Sequence, residues 1–199
     1  ITALGLASTP TIYASTVQSG PLVGGVAAGG SACGIGATSW DGFNYTGVAV
    51  TDGTGFFSLV AGCSSSNAGN TSVTSYGAFT KTTGDSAAAF GFAATAGAAG
   101  TAVGYRANAS GNSAVSVGAL NVASGVNSVA IGSTATASNT AAIVIGQNAK
   151  ATNQDSIAIG RNAQVISNAF SAGTAVGEDT IAVGSSSAVG AGATATGIA

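Results

Sequence analysis

The chain has no histidine and no methionine, and charged residues are only 5% of its 199 positions. Without histidine, the usual Ser–His and Cys–His nucleophile pairs cannot be built. Two cysteines alone cannot complete the common zinc ligand sets. Neither a Gly-x-Ser-x-Gly elbow nor a P-loop occurs. No catalytic residue, metal or cofactor is therefore expected. Only four residues are basic, Lys81, Arg106, Lys150 and Arg161, and they form no run. Nucleic acid is thereby excluded as a partner, because phosphate contacts dominate that affinity. Two prolines against 32 glycines rule out both collagen and a Pro-rich linker. The uncharged stretch 1–40 is broken by Gly, Ser, Thr and Pro, so it does not read as a membrane-spanning helix. The chain begins at Ile1 with no signal-peptide layout, and it is expected to be an excised or processed segment.

What is present is a repeat. Gly62, Gly77, Gly91, Gly104, Gly118, Gly132, Gly146 and Gly160 follow one another at spacings of 15, 14, 13, 14, 14, 14 and 14. A short fixed period marks a stacked, quasi-one-dimensional architecture. Before each glycine apolar residues alternate, as in Val129/Ile131, Ile143/Ile145 and Ile157/Ile159. Period two with β-branched residues is a strand signal. Small residues stand three and five places after the glycine: Ala107/Ala109, Ala135/Ala137, Ala149/Ala151 and Ala163/Val165. They define a second short strand. At offset seven come Gly84, Gly111, Gly125, Asn139 and Asn153, which read as a left-handed second turn. One repeat is then strand, Gly turn, strand, Gly/Asn turn. Fourteen residues is too short for a strand–helix unit and enough for one coil of a two-sheeted β-solenoid. Coils separated by roughly 4.8 Å would make a rod of about 40 Å.

The Val/Ile stripe is expected to face the alanines across the coil as its core. The other parity, Ala130, Val144 and Ala158, is then left outside and is itself apolar. With a mean hydropathy of +0.47, a lone coil would keep a broad apolar face in water. Several copies packed along their length would bury it, in closed cyclic symmetry. On this reading Ala130→Glu or Ala158→Glu disrupts assembly.

The repeat does not run the whole chain. Residues 1–56 depart from it and read as a divergent N-terminal capping region, with 57–199 as the repeat rod and an irregular insertion near 167–179. Thr174–Gly177 and Ile181–Gly184 are two strand-like copies only seven residues apart. Cys33 and Cys63 are the only cysteines. One reading is an intrachain disulfide in an oxidising compartment, closing a loop worth roughly 3–4 kcal/mol in the chain-entropy model. The other is two buried thiols. Trp40, Phe43 and Tyr45 crowd three aromatics into six residues. They are candidate exposed anchors for a ligand, or rings that fill the core of the cap. Glu178-Asp179 is a candidate cation site or a solvated loop.

The segment Asn127-Ser128-Val129-Ala130-Ile131-Gly132 resembles the head repeat of trimeric autotransporter adhesins, the YadA-like heads of Gram-negative bacteria. Ser156-Ile157-Ala158-Ile159-Gly160 is similar to a second copy, and Thr101-Ala102-Val103-Gly104 to a third. The resemblance implies a left-handed parallel β-roll assembled as a homotrimer on the cell surface. It implies adhesion to extracellular matrix proteins, host cells or abiotic surfaces, through a repeat surface whose matching positions are Asn127 to Gly132 and Ser156 to Gly160. It also implies attachment to the outer membrane through a C-terminal anchor that this stretch lacks, so the chain is expected to be a head fragment. The cysteines and the first 56 residues depart from the pattern. Two other readings remain: a phage tail-fibre β-rod, and an ice-binding-type β-solenoid. The second needs a Thr-x-Thr ladder, which Thr80/Thr82 and Thr134/Thr136 fit and Ala107/Ala109 and Ala149/Ala151 do not. A polysaccharide-cleaving β-helix would need longer coils and a cluster of acids or bases.

Overall fold

A computed structural model describes residues 18–19, 58–62, 65–166 and 172–197. These residues form a β-solenoid of about nine turns with coils near 14 residues, and no helix occurs among them. Each coil contributes one strand to each of two sheets. Three-residue strands such as Val115–Val117, Val129–Ile131, Ile143–Ile145 and Ile157–Ile159 stack in one sheet. Mostly two-residue strands such as Val122–Ala123, Thr136–Ala137 and Lys150–Ala151 stack in the other. Pairing between coils is parallel, and the register steps by one repeat: Val129 meets Ile143, which meets Ile157. The backbone bonds run from coil to coil, as in Gly146 N donating to Ile131 O at 2.8 Å. At the N-terminal edge Gln18–Ser19 pairs antiparallel with Leu59–Ala61.

The two faces of the alternation lie the opposite way from the expected core. Ala130, Val144 and Ala158 point into the coil and are fully buried, while Val129, Ile143 and Ile157 face outward and Ile131 is 37% exposed. The reason is width. A coil closed by two short strands leaves room only for small side chains, and Ala135 and Ala137 already occupy the far wall. One layer is Ser128, Ala130, Ala135 and Ala137; the next is Ala142, Val144, Ala149 and Ala151. Alternation reveals the period but not which parity is inside, and both parities here are apolar.

Buried hydroxyls bond within their own turns. Ser128 Oγ donates to Gly125 O at 2.7 Å, Ser156 Oγ to Asn153 O at 2.6 Å, and Thr180 Oγ1 to Gly177 O at 2.9 Å. Each reaches three residues back, so the interior gains a polar group without an orphan donor. Asn121, also fully buried, donates through Nδ2 to Ala130 O of the next coil at 2.9 Å.

The first turn is as the repeat suggested: from Gly77 to Gly177 its glycine holds φ between +122° and +142°. The second turn differs. Gly84, Gly111, Gly125, Asn139 and Asn153 do not take a positive φ; the left-handed residue comes two places later, at Ser113, Asn127, Ala141 and Asp155. Gly125 is small for another reason, because a Cβ there would run into the backbone of Asn139 in the following coil.

The coil from Gly160 to Gly177 is 17 residues long, three more than its neighbours. Thr174–Val176 still pairs in register with Ile157–Ile159. Ile181–Val183, its near copy in sequence, pairs with Gln164–Ile166 in the other sheet. The seven-residue spacing is thus one coil crossing from sheet to sheet. Within the stretch 167–179, the strand and turn from Thr174 onward are regular.

Candidate functional surfaces

With the interior filled by alanine, what remains for function is the outside of the rod. It has two faces and two turn edges. The outer face of the three-residue strands is an unbroken apolar ladder: Tyr76, Phe90, Val103, Val117, Ile131, Ile145, Ile159, Val176 and Val189 follow in register, one per coil. Most of these are exposed, Tyr76 to 57%. Beside them runs a half-buried column that includes Val115, Val129, Ile143 and Ile157. The outer face of the other sheet is different. Its ladder reads Lys81, Thr95, Asn108, Val122, Thr136, Lys150, Gln164, Ile181 and Thr194. Polar residues hold seven of these nine rungs, so this face is suited to water and the first is not.

The two Thr-x-Thr pairs form no flat array. Thr80 and Thr82 are buried and Thr134 sits in a left-handed turn, so of these four only Thr136 stands on the polar face, where Thr95 and Thr194 are separated from it by other residues. Of the motif residues, Ser128, Ala130, Ser156 and Ala158 are interior, Val129, Ile131, Ile157 and Ile159 are outward, and Asn127, Gly132 and Gly160 form turns. Cys33, Cys63, Trp40, Phe43 and Tyr45 lie outside the described residues. Glu178 pairs with Arg161 of the preceding coil, and Asp179 Oδ1 accepts a 2.7 Å hydrogen bond from Asn162 Nδ2. Both carboxylates therefore tie the 17-residue coil to its neighbour. The ion pair is more than half exposed on each side, so Arg161→Ala should lower stability by less than about 1 kcal/mol in urea unfolding.

Sequence reading missed one feature. Phe79, Phe92 and Tyr105 pack from coil to coil along the Gly-turn edge, the first pair edge to face with ring centroids 5.4 Å apart and the second stacked at 5.7 Å. The signal was their offset of one or two residues from the ladder glycine, which only the coil geometry turns into a single edge.

Residues 96–121, 123–149 and 137–163 match the YadA head domain repeat (2 copies), about a third of the chain. The chain carries YadA head repeats. These are repeats of trimeric autotransporter adhesin heads. No curated protein matches the chain in a sequence comparison. The same coil geometry continues on both sides of the matched stretch, from Leu59–Ala61 to Thr194–Thr196, with the same parallel register. Within the YadA repeat, Asn127-Ser128-Val129-Ala130-Ile131-Gly132 now has a physical reading. Asn127 takes the left-handed turn, and Ser128 satisfies that turn from inside. Val129 and Ile131 build the outer ladder, Ala130 fills the bore, and Gly132 makes the next turn.

Proposed function

We propose that this chain is the head portion of a non-enzymatic adhesin, displayed on the outer membrane surface of a Gram-negative bacterium. Three copies wind as left-handed β-rolls and pack in parallel along the Val/Ile ladder. The polar sheet and the turns face outward and make the contact with matrix proteins, host cells or abiotic surfaces. The observation that carries this reading is the contrast between the two faces. A ladder of nine outward apolar side chains runs the length of one sheet, on a chain whose repeats belong to adhesin heads. Burying such a face between copies follows from the hydrophobic effect, roughly 25 cal/mol per Å² removed from water.

Light scattering after size exclusion tests the assembly. The parent should give about three times the 18.4 kDa chain mass. Ile131→Glu with Ile145→Glu should give the single-chain mass with the far-UV circular dichroism of the parent, because both side chains point out of the coil. A parent that runs as a monomer at all concentrations would sink the three-copy reading. Adhesion itself is tested by retention of the purified assembly on immobilised matrix proteins and on bare polymer surfaces. Retention on neither, by a well-formed trimer, would count against the adhesin reading.

A further inference from the structure

The ladder face alone is a narrow seam. Ten parallel strands three residues wide span about 43 Å by 10 Å, or roughly 430 Å², from ordinary strand spacing and rise. A stable interface takes about 800 Å² from each partner, and in a three-copy ring this strip is shared between two neighbours. A closed ring of parallel copies is also built from head-to-tail contacts, which take two different patches on each copy.

The Gly-turn edge beside the ladder changes character along the rod. Its N-terminal coils carry Phe79, Phe92, Tyr105 and Leu120, and the corresponding turns farther on hold Thr134, Asn148 and Asn162. Phe92 and Tyr105 lie within 14° of parallel. Phe79 meets Phe92 edge to face, at 64°, so the three rings form a continuous apolar ridge of mixed edges and faces, suited to packing and not a platform for a flat ligand. Leu120 extends the ridge and is 47% exposed. The opposite edge holds Ser72, Ser86, Ala99, Ser113, Asn127, Ala141 and Asp155 at its left-handed positions, and Val126 is the exposed large apolar side chain beside them, with no ring ladder.

We propose that the ridge of Phe79, Phe92, Tyr105 and Leu120 is the second assembly patch, seated against the apolar ladder of the next copy. This rests on the three-copy reading above and names the surface that closes it. The ring is then anchored at its N-terminal coils, and the polar turns from Thr134 onward stay in water.

The test uses two variants of the full chain. One has a ladder broken at the height of the ridge (Phe90→Glu with Val103→Glu, both outward-facing), and the other a broken ridge (Phe92→Ser with Tyr105→Ser). The broken-ridge chain should dissociate at concentrations at least about 30-fold above the parent's, as loss of an aromatic anchor requires. Mixed one to one, the two variants should form a complex of twice the chain mass, because the intact ladder of one can dock on the intact ridge of the other. If the ridge variant stays trimeric at the parent's concentrations, the proposal is wrong and the ladder reading stands. A monomeric parent overturns both. Should the double ridge variant lose its β circular dichroism, Leu120→Ser reads the same question from an exposed position: weakened assembly supports the ridge, and unchanged assembly overturns it.

Discussion

Replacing Gly132 by alanine should cost about 4 kcal/mol or more, which places it among the largest effects a single methyl can have. Two separate penalties meet at this residue. Its φ is +137°, a region that side-chain-bearing residues enter at a cost of about 1–3 kcal/mol. The added Cβ would also lie 2.5 Å from Gly146 O and 2.7 Å from Gly146 C in the following coil. Those are backbone atoms, so no side chain can swing away. Relief requires the two coils to part, and their separation is set by the ladder itself. Gly132 N donates to Val117 O at 2.9 Å and Gly146 N to Ile131 O at 2.8 Å, so moving coil 132 loosens bonds on both sides. Gly190 supplies the comparison. It has a φ of +110°, but no heavy atom lies within 4 Å of the place its methyl would take, so Gly190→Ala meets the torsional penalty alone. Urea unfolding followed by circular dichroism should separate the two variants by at least about 2 kcal/mol. Equal losses would mean that backbone conformation, not contact between coils, explains the glycine ladder.

The same geometry explains what could be read in advance. The period, the two strands per coil and the Gly turn were legible because each has a residue type that it requires. A φ near +130° beside another backbone accepts only glycine, so the ladder is written openly in the sequence. The choice of inner face was not legible. Val129 and Ile131 look like a core by composition, and Ala130 between them looks incidental. Only the width of the closed coil reverses that order. The second turn was misplaced for a related reason. Its left-handed position accepts Ser113, Asn127, Ala141 and Asp155 alike, so no residue type marks it, whereas the glycines at 111 and 125 are there to let coils approach. Of the candidate surfaces, the adhesin-head repeat was recognisable from Asn127–Gly132, and the family comparison agrees over 96–163. The aromatic ridge was not recognisable. Phe79, Phe92 and Tyr105 are spaced 13 apart, but they occupy different offsets in their turns and touch only once the coils are stacked.

Ala130→Glu and Ile131→Glu, one residue apart, should fail in different ways. The glutamate at 130 enters the bore of the coil, where Ser128, Ala135, Ala137 and the Val144 layer leave no space for it. The described basic residues lie on the outside: Lys81, Lys150 and Arg161 are exposed and Arg106 is half-buried, so the carboxylate gains no partner. A buried, unpaired carboxylate costs several kcal/mol even after it neutralises by taking up a proton, and overpacking adds about 1–3 kcal/mol. The expected result is loss of the β circular dichroism spectrum, with any loss of assembly following from that. At 131 the side chain already projects outward, and Glu in place of Ile costs the sheet no more than about 1 kcal/mol in strand preference. That variant should keep its spectrum and lose its assembled mass. Sequence periodicity alone assigns these outcomes the other way round, with 130 as the assembly position. The pair therefore reads which parity faces inward, independently of any ligand. If Ala130→Glu kept the parent spectrum while Ile131→Glu unfolded, the inward alanine face would be wrong, and with it the apolar ladder on which the three-copy assembly depends.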